Sequence, residues 1–319
     1  MSKTNQPASQ EKFKTLIGGQ ALIEGILMQG PDKRAIVVRT PDGLVRREEP
    51  VKKHRGILAW PLIRGVVNFL SSMVNGVKAL MYSAEFFEDD TNAEPGKFEQ
   101  WFEKKFGSDK LEKAVIYFSV VLGVAMSVGL FILLPTLLGG LFDSVLHSQL
   151  ARCLIEGILR IIIFLGYLIL VSKTKDIKRV FSYHGAEHKT IRCYEARLPL
   201  TVENVRPQTR LHPRCGTSFL FVVVILSILI FSLVSVVLPT NNMLLRLLLR
   251  LALLPIVVSI SYEFNRLVGR HDNWLTRILT YPGMWLQNFT TNEPDDSMIE
   301  VAIEALTMVI PEQEGADRW

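Results

Sequence analysis

Cysteine is scarce in this sequence: Cys153, Cys193 and Cys215 are the only three. An odd number with no close CxxC pair argues against a disulfide framework and fits reduced thiols. The phosphate-cradling patterns G-x-x-x-x-G-K-[ST] and G-x-G-x-x-G are missing, so Gly18-Gly19 is not part of a nucleotide loop. The polar start, MSKTNQPASQEKFKTL, has no apolar core followed by a small-residue cleavage site, and no cleaved signal peptide is expected. Two stretches between apolar runs, FDSVLHSQ and PTNNM, lack lysine and arginine altogether.

What is present is segregated. Hydrophobic residues make up 49% and charged residues 21%, at a mean hydropathy of +0.25. Apolar and charged residues must therefore fall in separate blocks, as in membrane spans joined by polar loops. Four runs are long and apolar enough for a bilayer, which needs about 20 residues: Ala114 to Leu141, Cys153 to Val171, Ser218 to Leu238 and Leu244 to Tyr262. Glu156, Arg160, Arg246 and Arg250 lie near span ends; the last two either snorkel to the interface or face the bundle interior. The segment between the second and third runs carries ten basic residues, from Lys173 to Arg214. The positive-inside rule puts that segment and both termini in the cytoplasm of a bacterial cell membrane. The net charge of +5 belongs to such loops, and no nucleic-acid partner is expected.

The expected fold is mainly α: a polytopic membrane protein of about four transmembrane helices, with a small N-terminal β-hairpin and cytoplasmic helical segments. The hairpin (AIVVRT, a Pro41-Asp42-Gly43 turn, LVRRE) falls in residues 1–56. Residues 57–113 hold a half-apolar helix, packed on the bundle or lying in the interface, with a fifth span or re-entrant pair as the alternative, and an acidic linker, FEDDTNAEPGKFEQ. Residues 114–262 form the transmembrane region with the cytoplasmic loop 172–217. Residues 263–319 form a cytoplasmic tail whose stretch DDSMIEVAIEALTMV reads as a capped amphipathic helix.

Four segments bear on chemistry. FSYHGAEHKTIRCYE contains His184, Glu187 and His188 as H-x-x-E-H, the order in which two histidines bind zinc and the glutamate acts as base. On a helix, His188 lies about 40° from His184, one turn on, and Glu195 falls on the same stripe. Two imidazoles and a carboxylate leave one zinc position open to water. Glu195, however, is about 10 Å beyond His188 along a straight helix, so it shares an ion only if the helix breaks. The same two histidines also suit plain hydrogen bonding to loops. LHPRCGTSF offers His212 and Cys215 as ligands, while Pro213 and Gly216 equally suit shaping the entry to a span. IGGQALIEGILMQGP reads as packing glycines that permit close backbone approach. Glu263, in ISYEFNRLVGRHDN, is a late ligand or an ion-pair acceptor.

With these segments in hand, the chain resembles the YqhQ-like family of bacterial membrane proteins. The resemblance rests on GGQALIEGILMQGP, the stretch around WPLIRGVVNF, FSYHGAEHKTIRCYE with LTVENVR, LHPRCGTSF and PGMWLQNFTTNEPDDSMIEVAIEAL. Together they run from about residue 17 to residue 306. It implies a membrane fold and a metal-dependent enzyme, without naming a substrate. Gln29 departs from the family pattern, where an arginine is expected, and no anion-binding role is assigned to it.

The expected function is a metal-dependent hydrolase at the cytoplasmic membrane face. Glu187 is its base, a divalent metal (zinc by donor type) is its cofactor, and the ligands come from His184, His188, His212, Cys215 and Glu195. The rival is a non-catalytic protein that binds other membrane proteins of translocation, quality-control or envelope machinery. In either case the lipid bilayer is a partner.

Overall fold

The computed structural model describes residues 13–87, 108–142, 148–240, 242–271 and 273–319. Most of the acidic linker lies outside the described residues. The chain divides into two compact units. One holds the chain up to Phe87 with Leu168–Val223 and Ile256–Trp319; the other holds Glu88–Tyr167 and Val224–Pro255.

The first unit is built on an antiparallel meander of β1 (Gly18–Leu22), β2 (Gly25–Gln29), β3 (Lys33–Thr40) and β4 (Gly43–Pro50), in that order. The hairpin read from the sequence is β3–β4, and the glycine-bearing segment adds two more strands. Ala35, Ile36, Val37 and Val38 run without a polar break because both sheet faces are covered. Ile26, Met28, Ala35 and Val37 pack with Tyr183, Ala186, Ile299, Ala302 and Leu306. The alternate residues Leu27, Ile36 and Val38 pack with Ala79, and Tyr82 and Phe86 close over them. A two-sided core of this kind needs the side chains of successive residues to point to opposite faces, the period of a strand.

The helices of this unit are α1 (Ile63–Ala84), α5 (Lys175–Glu195), the single turn α6 (Val202–Val205), α9 (Trp274–Thr290) and α10 (Asp296–Val309). The capped amphipathic helix of the tail is α10. Asp295 accepts a hydrogen bond from the Met298 N–H at 3.0 Å, satisfying one of the helix's unpaired amides. Its apolar side, from Met298 to Val309, is spent inside the core.

The remaining helices are α2 (Ser108–Val128), α3 (Leu134–Gly140), α4 (Gln149–Ser172), α7 (Gly216–Val237) and α8 (Met243–Arg270), with a π turn, Gly129–Leu133, joining α2 to α3. Among the described residues four helical stretches are long and apolar enough to cross a membrane: Tyr117–Gly140, Leu150–Ser172, Gly216–Val237 and Met243–Arg270. They match the four runs read from the sequence, and α1 is not among them.

Within the second unit the charges near the span ends turn inward. Glu156 is 1% exposed and takes Arg250 on one oxygen and Arg246 on the other, at 3.4 Å. Arg250 also donates to the Thr136 hydroxyl. Arg160 donates to the Phe131 carbonyl and to Ser227 Oγ, both at 2.9 Å. Gly139 leaves the space that Glu156 fills, since a Cβ there would lie 2.4 Å from its Cγ.

Candidate metal centre

The centre forms in the first unit, where α5, the 211–215 turn and the end of α9 converge. Helix α5 runs unbroken to Glu195, so His184 and His188 stand one turn apart on a single face, ring centroids 4.3 Å apart. Gly185 allows the approach of the chain beyond α9, because a Cβ there would lie 2.0 Å from the Asn292 carbonyl oxygen. His184 Nδ1 lies 2.8 Å from the Thr290 carbonyl oxygen, and His188 Nδ1 lies 2.6 Å from that of Arg210. A carbonyl can only accept, so both rings donate Nδ1–H, and in a neutral ring of this tautomer Nε2 carries the lone pair. His184 Nε2 then faces Cys215 Sγ at 3.2 Å. Ligand atoms of His184, His188 and Cys215 all lie within 4.8 Å of one another.

This donor set fits a divalent ion. Tetrahedral zinc bonds of about 2.0–2.3 Å place ligand atoms roughly 3.3–3.8 Å apart, so a small contraction closes the trio. Carbonyl acceptors on the far nitrogen of each histidine are the usual supports of metal-binding imidazoles. Burial pushes the His188 imidazole down to about 4, which keeps it neutral near pH 7. For Cys215, burial pushes the thiol up, but the nearby His188 and two hydrogen bonds with Thr217 outweigh it and hold the thiol below its usual range.

Glu187 stands beside the trio. Burial raises its carboxyl to about 7, Cys215 adding to the effect and His184 and the Gly19 N–H opposing it. Oε1 accepts the Gly19 N–H at 2.9 Å. A Cβ on Gly19 would sit 3.1 Å from the Glu187 carboxyl carbon and 2.5 Å from the Leu27 carbonyl oxygen, so only glycine brings this amide so close. Oε2 is buried and has no hydrogen-bond partner. A cavity of about 540 Å³ is lined by His184, Glu187, His188, Cys215 and Gln20.

The other two residues read as ligands form a separate group. The unbroken helix carries Glu195 two turns past His188, where it accepts from Arg214, from the Thr15 N–H at 2.9 Å, and faces His212 Nε2 at 3.5 Å. His212 lies near His188, ring centroids 5.5 Å apart, but its ring turns to Glu195. Burial lowers the His212 imidazole to about 4 against the pull of Glu195. Burial raises the Glu195 carboxyl, but His212 and Arg214 hold it below the usual range. Glu263 is an ion-pair acceptor, engaged by Arg64 through both oxygens.

Gln287, Thr290 and Thr217 escaped sequence reasoning. Gln287 clamps the His212 backbone, accepting from its N–H and donating to its carbonyl, both at 2.7 Å. Nothing in LQNFTT marks the glutamine, since its role appears only when α9 meets the 211–215 turn.

Fold and site together define a class: a membrane-associated protein with four span-length helices among the described residues and a His–His–Cys cluster, partly buried, flanked by a buried glutamate. The chain belongs to the family described as Protein of unknown function (DUF1385), whose model matches residues 60–312. It is 38% identical over 308 residues to "Uncharacterized protein YqhQ" of Bacillus subtilis (strain 168), covering 95% of this chain and 94% of that protein. Neither description assigns a metal or an activity, so the enzyme label implied by the resemblance has no support from them. No solved structure matches.

Proposed function

We propose that this protein is a metal-dependent hydrolase working at the cytoplasmic face of the membrane. The observation that carries the reading is the pairing of two features: three converging donors, and a buried carboxylate oxygen beside them that lacks a partner. His184, His188 and Cys215 would hold the ion, with zinc the natural choice for two imidazoles and a thiolate. A bound divalent ion supplies a Lewis acid and a water of lowered pKa. Glu187, with a carboxyl near 7, exchanges a proton readily at neutral pH: it takes one from the attacking water and returns it to the leaving group. The Gly19 N–H holds Oε1 and thereby aims Oε2. His212 and Glu195 position the turn that carries Cys215. The cytoplasmic assignment rests on the ten basic residues of the 172–217 segment and their absence from FDSVLHSQ and PTNNM.

The binding-protein reading ranks second. Its amphipathic tail helix, α10, has its apolar side committed to the sheet and offers none to a partner. Elemental analysis of purified protein is the test. About one transition metal per chain, lost in His184→Ala and His188→Ala but kept in Glu187→Gln, supports the hydrolase. A metal-free protein in which all three substitutions leave function intact removes it.

A further inference from the structure

We propose that a basic groove beside the metal centre binds the phosphate headgroup of an anionic membrane lipid. The groove, about 730 Å³, lies within the first unit and is lined by Arg192, Arg214 and Arg266 among its charged residues, with Phe219, Tyr262 and Met284 as apolar wall. Among its described lining residues the one acidic side chain is Glu195, already engaged by Arg214 and His212. A neighbouring cavity of about 550 Å³ shares Tyr262, Arg266 and Trp319 with it. That cavity adds Lys52, Arg270 and Arg318, with no aspartate or glutamate among its described lining residues. Arg266 therefore stands where two cation-rich hollows meet. Glu263, one turn earlier on α8, gives both oxygens to Arg64 and acts on Arg266 only through its longer-range charge. An excess of cations lining one concave surface concentrates anions there.

A second observation selects a lipid over a soluble anion. Arg270 ends α8, itself a span-length apolar helix, and Arg266 lies one turn before it. Helix α9 begins four residues later and is amphipathic in an uncommon way. Its inner side packs through Gly283 on Ser218 and through Leu286 and Gln287. Its outer side exposes Trp274, Ile278, Tyr281 and Trp285, spaced 4, 3 and 4 residues apart and so on one stripe. Tryptophan and tyrosine on the outer stripe of a helix that follows a span are the mark of the headgroup level of a bilayer. Arg277 of the same helix lines the groove. Acyl chains thus have an apolar surface to follow, and the headgroup has the guanidinium groups. The groove shares Arg214 and Cys215 with the trio's cavity, so the bound headgroup lies beside the candidate metal centre, although the binding claim does not depend on a metal.

The test uses the full chain purified in mild detergent and read by native mass spectrometry. Three probes are used: phosphatidylglycerol, phosphatidylcholine and inorganic phosphate. Phosphatidylglycerol adducts should outlast phosphatidylcholine adducts at equal concentration, and inorganic phosphate should compete only weakly. Each basic residue near an anionic lipid surface contributes about five-fold in affinity, so Arg266→Gln with Arg270→Gln should weaken phosphatidylglycerol binding by about twenty-five-fold. Arg46→Gln, a surface arginine paired with Glu304 outside the groove, should change nothing. Equal retention of the two lipids by the unaltered protein overturns the proposal without recourse to any variant. So does a double variant that binds phosphatidylglycerol as the parent does. Saturation by inorganic phosphate as tight as by lipid would make this a free-phosphate site and would equally overturn it. Metal content is read on the same samples, which separates failure here from failure of the hydrolase reading.

Discussion

Two groups of buried ionisable side chains invite comparison, one in each unit. Around Glu156 the named side chains each have a partner: both carboxylate oxygens meet arginine, Arg250 also reaches Thr136, and Arg160 reaches a carbonyl and Ser227. Around Glu187 the account stays open. One carboxylate oxygen has no partner, and two imidazole lone pairs converge on a thiol beside a cavity. Burying a charge is costly unless it is paired, and an unmade hydrogen bond on a buried oxygen costs about 1–3 kcal/mol. The closed group holds helices together. The open one keeps an uncompensated cost, as a site does when a ligand or a reacting group is to supply the missing partner.

The sharpest way to break this contrast is to open the closed group. Glu156→Ala leaves Arg246 and Arg250 buried without a counter-charge, and loss of one partner of a buried ion pair costs about 3–5 kcal/mol. The expected result is a severe fall in folded yield and melting temperature in detergent. If Glu156→Ala melts like the parent, the group is not the structural element described here.

In the open group the losses should fall on chemistry. Glu187→Gln keeps the shape but cannot accept a proton, so turnover should drop by about 10²–10⁴ with metal content unchanged, as measured on any substrate that the parent hydrolyses. Cys215→Ala should lower metal affinity without unfolding the sheet, which metal titration alongside thermal melting would check. If it unfolds the chain as Glu156→Ala does, the two groups are alike.

Acidity offers a subtler comparison. A carboxyl raised by folding contributes stability that is fully present below its ordinary value of 4.5 and is lost as pH rises through about 7. In chelator-treated protein, Glu187→Gln should therefore gain on the parent as pH rises from about 4.5 to about 7.5, by at most on the order of 3 kcal/mol. Parallel melting curves across that range would count against a buried, proton-holding Glu187. The smallest effect expected is at Asp295, which only caps α10: Asp295→Ala should cost about 1 kcal/mol. Burial pushes its carboxyl up, but hydrogen bonds from Ser297 and the Met298 N–H hold it below 3.8. That contribution is present above pH 3.8 and fades as pH falls through the lower, folded value, which acid melting would reveal.

Span positions, the β3–β4 hairpin and the α10 cap were legible because each depends on a local pattern: an apolar run, a Pro-Asp-Gly turn, an acidic residue before a 3.6-residue period. The strands β1 and β2 were less so. Their glycines read as packing, and Gly19 does pack, but the partner it admits is 168 residues away. At the centre, the His184–His188 pair followed from helical spacing, and its distance from Glu195 followed from the same geometry once the helix proved continuous. Whether Cys215 or His212 would join the pair was not decided by spacing. They are three residues apart on a turn, and either side chain can be the one that points inward.

The sequence by itself determined that this protein has four apolar helices of bilayer length, a charged segment between the second and third, and two histidines on one helical face. These follow from hydrophobic segregation and from a period set by backbone geometry, which need no distant residue. Tertiary structure alone decided that Cys215 faces His184, that Gln287 holds the His212 backbone, that Gly19 reaches Glu187, and that Glu187 keeps one oxygen without a partner. Each of these depends on segments brought together by burial of a shared core, and hydrogen bonds between such segments leave no period in the chain.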